Sequence, residues 1–276
     1  MKIITDTSAL YSLQEGKELG IEVIPACVLV DGEVYKDYED ISGEELLKLI
    51  EQGKVPTSSQ PAIGDVIDIF EGTQEDILYL TIGDGLSGTY QNAMGARNCV
   101  EQNEHIHIID TQTLGGAQRF LVQKAMMLKK EGMGIEEIVR QVKKSVVTSV
   151  SFVIASDFNF LKRSGRLTPI AAAICSVVKI IPVLTQTEDM KKIKPFAVKR
   201  SYKKAVDAVI EYFKGIRVNQ EYIISIGHAG VRQMAEDAVK QIRNHFSDTT
   251  IELFQLSPTL ITHGGPGCIT IQAICR

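Results

Sequence analysis

The sequence predicts an α/β protein with two domains. An N-terminal α/β domain over residues 1–150 is expected to carry a helix-covered parallel sheet. An α+β domain over residues 151–276 is expected to carry a mixed or antiparallel sheet. Three observations lead there. Short β-branched runs alternate with amphipathic segments through the first half, the pattern of parallel strands covered by helices. Beyond residues 147–150 such runs come as neighbouring pairs mixed with two long helical segments, which suits a sheet with helices on one face. Finally, 276 residues that are 44% apolar and 23% charged can bury a sizeable core without a metal or disulfide staple.

Composition also excludes. The net charge of −4, with signs interspersed, argues against bulk attraction to nucleic acid or an anionic membrane. Five cysteines (Cys27, Cys99, Cys175, Cys268 and Cys275) form no CxxC pair, as expected of reduced cytosolic thiols. The N-terminus MKIITDTSAL lacks signal-peptide architecture. The longest apolar stretch, Ile170 to Leu184, is broken by Lys179 and Pro182. A soluble cytoplasmic protein is the expectation.

The elements follow in order. Lys2 to Thr5 reads as a strand ending at Asp6-Thr7-Ser8, oxygen-bearing side chains where open α/β sheets place ligands. A plain turn capped by Asp6 explains them equally. Glu22 to Val30 reads as one strand, returned by a hairpin at Asp31-Gly32 through Val34 and Tyr35. Ser42-Gly43-Glu44-Glu45 is a capping box opening a helix that ends at Gly53. Thr57-Ser58-Ser59 precede Pro61, which suits the first turn of a helix through Val66, Ile67 and Phe70.

Asp76 to Gly95 is the stretch around which the chain is organised. Ile77 to Ile82 is a strand that breaks at Gly83-Asp84-Gly85 and enters a helix near Ser87-Gly88-Thr89. Unpaired N–H groups at such a helix start, with two hydroxyls beside them, can seat an anion. The alternative is an ordinary turn in which Ser87 or Thr89 caps the helix. His105 to Ile109 is a further strand, followed by helices over 114–130 and 135–146.

In the second half, Ser149 to Ala155 is a strand, and Asn159 to Leu167 is a basic segment with Gly165 as its helix C-cap. Strands at 179–186 and 191–198 flank a turn at Glu188-Asp189. A helix carrying Ala205, Val209 and Phe213 comes next. Strand 222–226, helix 231–245, strand 250–256 and strand 269–274 complete the chain. His263-Gly264-Gly265-Pro266-Gly267 reads as a turn before the last strand, where a ligand could approach the backbone closely.

Together these motifs resemble the DegV family of bacterial fatty-acid-binding proteins, which includes the acyl-carrier subunit of fatty acid kinases. The resemblance rests on Thr5-Asp6-Thr7-Ser8, Ser58-Ser59-Gln60-Pro61, Leu86-Ser87-Gly88-Thr89-Tyr90-Gln91, Leu161-Lys162-Arg163-Ser164-Gly165-Arg166, Arg200 and His263-Gly264-Gly265-Pro266-Gly267, in family order. It implies a lipid tunnel between the two domains and a long-chain fatty acid such as palmitate as ligand. It also implies no cofactor, no metal and no catalysis by this chain. The carboxylate would be held by Ser58, Ser87 and His263, with the N–H of Gly88 and the turn at Gly264 beside them. Arg200 and Arg166 would dock a separate ATP-dependent kinase, and lipid exchange would involve transient membrane contact. Ser58 stands where the family usually has Thr, and Ile181 where it has Lys. Candidates for the tail wall are Ile170, Ile174, Val177, Ile180 and Leu184, which plain core packing would explain as well.

The rival reading is an enzyme. A serine hydrolase would use Ser87 as nucleophile, His263 as base and Asp6 as orienter, although no GxSxG is present. A phosphotransferase would need a phosphate-binding loop, and GxxxxGK[ST] is absent.

Overall fold

A computed structural model describes residues 1–174 and 180–276. The first half runs β1 (Lys2–Asp6), α1 (Leu13–Leu19), β2 (Ile21–Ile24), β3 (Cys27–Val30), β4 (Glu33–Lys36), α2 (Gly43–Glu51), β5 (Thr57–Ser59), α3 (Ile63–Glu71), β6 (Ile77–Thr81), α4 (Thr89–Cys99), β7 (Ile106–Asp110), α5 (Gly115–Lys130) and α6 (Ile135–Val146). The second runs β8 (Val150–Ile154), α7 (Phe158–Ser164), α8 (Pro169–Ile174), β9 (Ile181–Gln186), β10 (Ile193–Lys199), α9 (Tyr202–Gly215), β11 (Tyr222–His228), α10 (Arg232–Arg243), β12 (Thr250–Gln255), α11 (Pro258–Gly264) and β13 (Ile269–Cys275).

The fold is mixed α/β, with an N-terminal parallel sheet and a C-terminal mixed sheet. The parallel sheet has the order β2-β1-β6-β7. Every residue of β6 is buried, as a central parallel strand covered on both faces requires. The second sheet has the order β10-β9-β8-β13-β11-β12. Its strands are antiparallel except for β11 and β12, which are parallel and joined through α10. Helix α5 packs against both sheets: Ala117, Leu121 and Ala125 share one core with Leu78 and Leu80 of β6 and with Ile223 and Ile274. Gly116 permits this approach, since a Cβ there would lie 2.3 Å from Ser225. A second core around Phe152, Phe213 and Ile271 fills the other face of the larger sheet. Each large side chain so buried contributes ~1.5–3 kcal/mol.

The structure departs from the sequence expectations at informative places. The run 22–30 is two strands in two sheets, because Pro25 interrupts the ladder and Ala26 N donates instead to Thr7 Oγ1 at 3.2 Å. The hydroxyl cluster at 57–59 is no helix start: it is β5, paired with β3 in a small antiparallel sheet of order β4-β3-β5. Helix α3 begins beyond Pro61, with Ala62 as its N-cap. His263 and Gly264 lie on the last turn of α11, and the turn proper is Gly265–Gly267. Gly265, at φ 76°, sits against the Phe160 ring, where a Cβ would meet Cδ2 at 2.6 Å. The expected capping box at Ser42 and Glu45 and the left-handed C-cap at Gly165 are both present.

Candidate functional site

Three elements distant in sequence converge at one polar pocket. β5 presents Ser58, the β6–α4 loop presents Ser87 and Gly88, and α11 presents His263, which together line a recess of about 450 Å³. Helix α11 is short, but its entry is well made: Ser257 caps it through Leu260 N, and Pro258 occupies the first turn. The consequence is a direct contact across 205 residues of chain, Ser58 Oγ to His263 Nε2 at 2.7 Å.

Ser87 is placed differently. Its Oγ lies 2.9 Å from Thr89 Oγ1 and accepts from Thr89 N at 3.3 Å, at the uncapped start of α4. Gly88, the N-cap, faces the Gln60 amide so closely that a Cβ would fall 2.6 Å from Gln60 Oε1. Gln60, inside a motif read from sequence but given no role, is therefore part of the recess wall.

Arg166, expected with Arg200 on a docking surface, is half-buried and lines the recess. Its Nε donates to Leu86 O at 3.0 Å, and its Nη1 donates to Ser164 O. Burial lowers its pKa, but a guanidinium remains a cation at neutral pH. His263 responds to the same surroundings. Burial first, and then the Arg166 charge, push its pKa down to about 4. The imidazole is therefore neutral at pH 7, a poor general base.

Beside the recess lies an apolar cavity of about 560 Å³, mouth included, and the two have Ile82, Leu86, Arg166, Leu260 and His263 in common as wall residues. Its apolar lining comes from both halves of the chain, with Leu114 on one side and Val153, Leu161, Ile193 and Leu256 on the other. Among the described residues, the expected tail residues Ile170, Ile174, Ile180 and Leu184 are not part of this lining. Ile170 is 69% exposed, and Leu184 packs in a core with Ala155, Leu161 and Ala171. Ile174 and Ile180 are half-buried, and Val177 lies outside the described residues. Arg200 is exposed at the bend before α9, as its sequence position implied.

The hydrolase arrangement is not supported. Ser87 is bonded to Thr89, and His263 to Ser58. Asp6 is buried and committed elsewhere: Oδ1 accepts from Ser8 N and Oδ2 from Ile82 N, both at 2.9 Å. It ties β1 to the β6–α4 loop and so fixes Ile82 in the cavity wall. Among the described residues no group of three His, Cys, Asp or Glu side chains could hold a metal. No helix there is long and apolar enough to cross a membrane.

The class this geometry defines is a mixed α/β binding protein with an apolar cavity beside a recess of hydroxyls, an imidazole and a guanidinium. The model for the family described as "Uncharacterised protein, DegV family" matches residues 1–276, so the chain belongs to the DegV family. It is 30% identical over 276 residues to a DegV domain-containing protein from Halalkalibacterium halodurans, covering 98% of this chain and 96% of that one. The fold superposes on a fatty-acid-binding DegV family protein from Thermus thermophilus with a TM-score of 0.90 at 23% identity, over 100% and 99% of the two chains. A fatty-acid-binding DegV family protein from Streptococcus agalactiae gives a TM-score of 0.87 at 26% identity, over 100% and 98%.

Proposed function

We propose that this protein binds one long-chain fatty acid, with the tail in the apolar cavity and the carboxylate in the recess at Ser58, Ser87, Gly88, Arg166 and His263. The observation that carries the reading is the shared wall: an apolar cavity and a donor-rich recess lie side by side, with five wall residues in common. Two solved relatives of the same fold bind fatty acids.

The energetics favour an amphiphile. At ~0.8 kcal/mol per buried CH₂, a tail of roughly sixteen carbons supplies at most about 12 kcal/mol. A buried carboxylate is costly unless its oxygens find donors and a nearby cation. The 2.7 Å Ser58–His263 contact allows either direction, and the reading assigns the proton of neutral His263 to Nε2, so that it donates to Ser58 Oγ and leaves the Ser58 hydroxyl proton for the carboxylate. His263 therefore acts through Ser58, and Arg166 supplies the compensating charge. Gly264 serves this arrangement sterically: a Cβ there would lie 2.7 Å from Cys268 Sγ and displace the end of α11.

The same reading extends to presentation of the acid to a separate ATP-dependent fatty acid kinase in the cytoplasm. Exposed Arg200 offers that partner a planar, bidentate donor. Loading from lipid would proceed by transient membrane contact, without any catalytic group or cofactor of this chain. Organic extraction of the purified protein followed by mass spectrometry tests the binding claim. About one fatty acid per chain is expected, and a protein that neither carries nor takes up fatty acid would refute it.

A further inference from the structure

The β6–α4 loop that carries Ser87 cannot fix its own shape. Gly83 and Gly85 flank Asp84, and glycines leave a loop many backbone states of similar energy. The first half of the chain ties the start of the loop, where Gly83 N donates to Thr113 O at 2.8 Å and Asp84 N to Asp110 Oδ1 at 2.9 Å. The next residues are held from the second half, by the tip of the β9–β10 hairpin. Gly85, at φ +85°, lies so close to Lys191 that a Cβ would fall 2.7 Å from its Cβ and 2.8 Å from its Cα. Lys191 Nζ also lies 3.4 Å from Asp84 Oδ2.

The hairpin is itself well placed. Across its turn Thr187 N donates to Lys192 O at 2.8 Å and Met190 N to Thr187 O at 2.9 Å. At the end of β9, Gln186 Nε2 reaches the first half and donates to Gln112 O at 2.9 Å. Two residues past Lys191, Ile193 N donates to Arg166 O at 2.9 Å. One residue past Gly85, Leu86 O accepts from Arg166 Nε at 3.0 Å. These contacts close a ring. Arg166 holds the hairpin with its backbone and the loop with its side chain, and Lys191 meets Gly85 between them. Ser87 follows Leu86 directly, so the hydroxyl and the charge offered to the ligand are both set by this ring.

We propose that the hairpin tip positions the carboxylate site, an inference that rests on the carboxylate reading of the recess. Gly85, Asp84 and Lys191 fix Ser87 relative to Arg166 and so set the affinity for a charged head group. A binding constellation of this kind must be held to about 0.5 Å. In Gly85→Ala, relief of the 2.7 Å approach to the ~3.5 Å of ordinary carbon contacts needs a shift of roughly 0.8 Å. A shift of that size breaks the 3.0 Å hydrogen bond between Leu86 and Arg166. The apolar tail makes no such demand, because its dispersion contacts are individually small and spread over many atoms. The Asp84–Lys191 pair is partly exposed, so its own share is small, and the backbone approach at Gly85 does most of the locating.

Displacement of a fluorescent fatty acid analogue by palmitate and by hexadecanol, which has the tail without the charge, tests this role in Gly85→Ala, Lys191→Met and Lys191→Arg. Gly85→Ala should weaken palmitate by about ten-fold or more and hexadecanol by less than about two-fold. Lys191→Met should weaken palmitate about three-fold, and Lys191→Arg, which keeps the ion pair, should retain wild-type affinity. NMR titration of the His263 ring gives a second readout. Its pKa should rise from about 4 in Gly85→Ala as the Arg166 charge moves away, which a change confined to the hairpin would not cause. If Gly85→Ala fails to fold, the two Lys191 variants decide alone. Wild-type protein that binds palmitate no better than hexadecanol removes the carboxylate reading, and this role with it. Wild type that prefers palmitate, with Lys191→Met unchanged or Gly85→Ala weakening both ligands equally, overturns the positioning role alone.

Discussion

Ser58→Ala isolates the contact on which the proposed carboxylate site is built. The substitution deletes one hydroxyl and leaves β5 paired with β3 through its backbone. In the unliganded protein it removes the 2.7 Å contact to His263, a net cost of about 0.5–1.5 kcal/mol in folding stability. In the complex it removes a hydrogen bond to a carboxylate, worth about 1.5–3 kcal/mol. At ~1.4 kcal/mol per decade that is a roughly 10- to 100-fold rise in Kd. It also leaves His263 Nε2 aimed at an empty position. Thr57→Ala is the matched control, because strand alternation turns the preceding side chain to the opposite face. Its Kd should stay within about two-fold of wild type. Displacement of a fluorescent fatty acid analogue reads both variants. A Ser58→Ala protein with wild-type affinity would refute the role given to the Ser58–His263 pair.

Other outcomes follow from the same geometry. Arg166→Gln should weaken fatty acid binding by about ten-fold or more and let the His263 pKa rise from about 4, since the Arg166 charge is one of the two influences that depress it; NMR titration of the His263 ring reads the second effect. Asp37, buried at the first turn of α11 where it accepts from Thr259 N at 3.3 Å, has its pKa raised by burial to about 7. The unfolded carboxyl titrates near ~3.9, so between these values the folded chain holds a proton that the unfolded chain lacks. Stability from this group is therefore lost as pH rises toward 7, by at most ~1.4 kcal/mol per pH unit. His263 acts oppositely, its contribution present above about 6.5 and lost as pH falls toward 4. The difference between wild type and Asp37→Asn in denaturant midpoints across this range isolates the Asp37 slope, and parallel curves would remove it. Arg200→Ala should leave palmitate affinity and Tm unchanged but slow acyl-phosphate formation when kinase and ATP are supplied; equal rates across a carrier titration would end the docking role.

The sequence reveals much of the fold because its elements are local. The capping box at Ser42 and the β6–α4 turn depend on residues a few positions apart. Helix α11 escaped the sequence reading although its signal was present in Ser257-Pro258, an N-cap followed by proline. The glycines after His263 drew attention to a turn and away from the helix before it. Arg166 escaped for another reason. A cation beyond a helix C-cap is explained locally by the dipole, so nothing in sequence shows that it folds back to Leu86 O, 80 residues away. The tail wall was least legible. Apolar residues at 170–184 look alike in sequence, but a cavity is the volume that packing leaves unfilled. Here Ile82, Val153 and Leu256, from three separate strand ends and strands, border it.

The central claim is that one site holds a carboxylate and an apolar tail together. Titrating the delipidated protein with palmitate and with hexadecanol, which shares the tail but lacks the charge, tests it most directly. The account predicts one palmitate per chain, with hexadecanol at least about ten-fold weaker for loss of the charge-assisted bonds. Equal affinity for the two, or no saturable binding of palmitate, would contradict it.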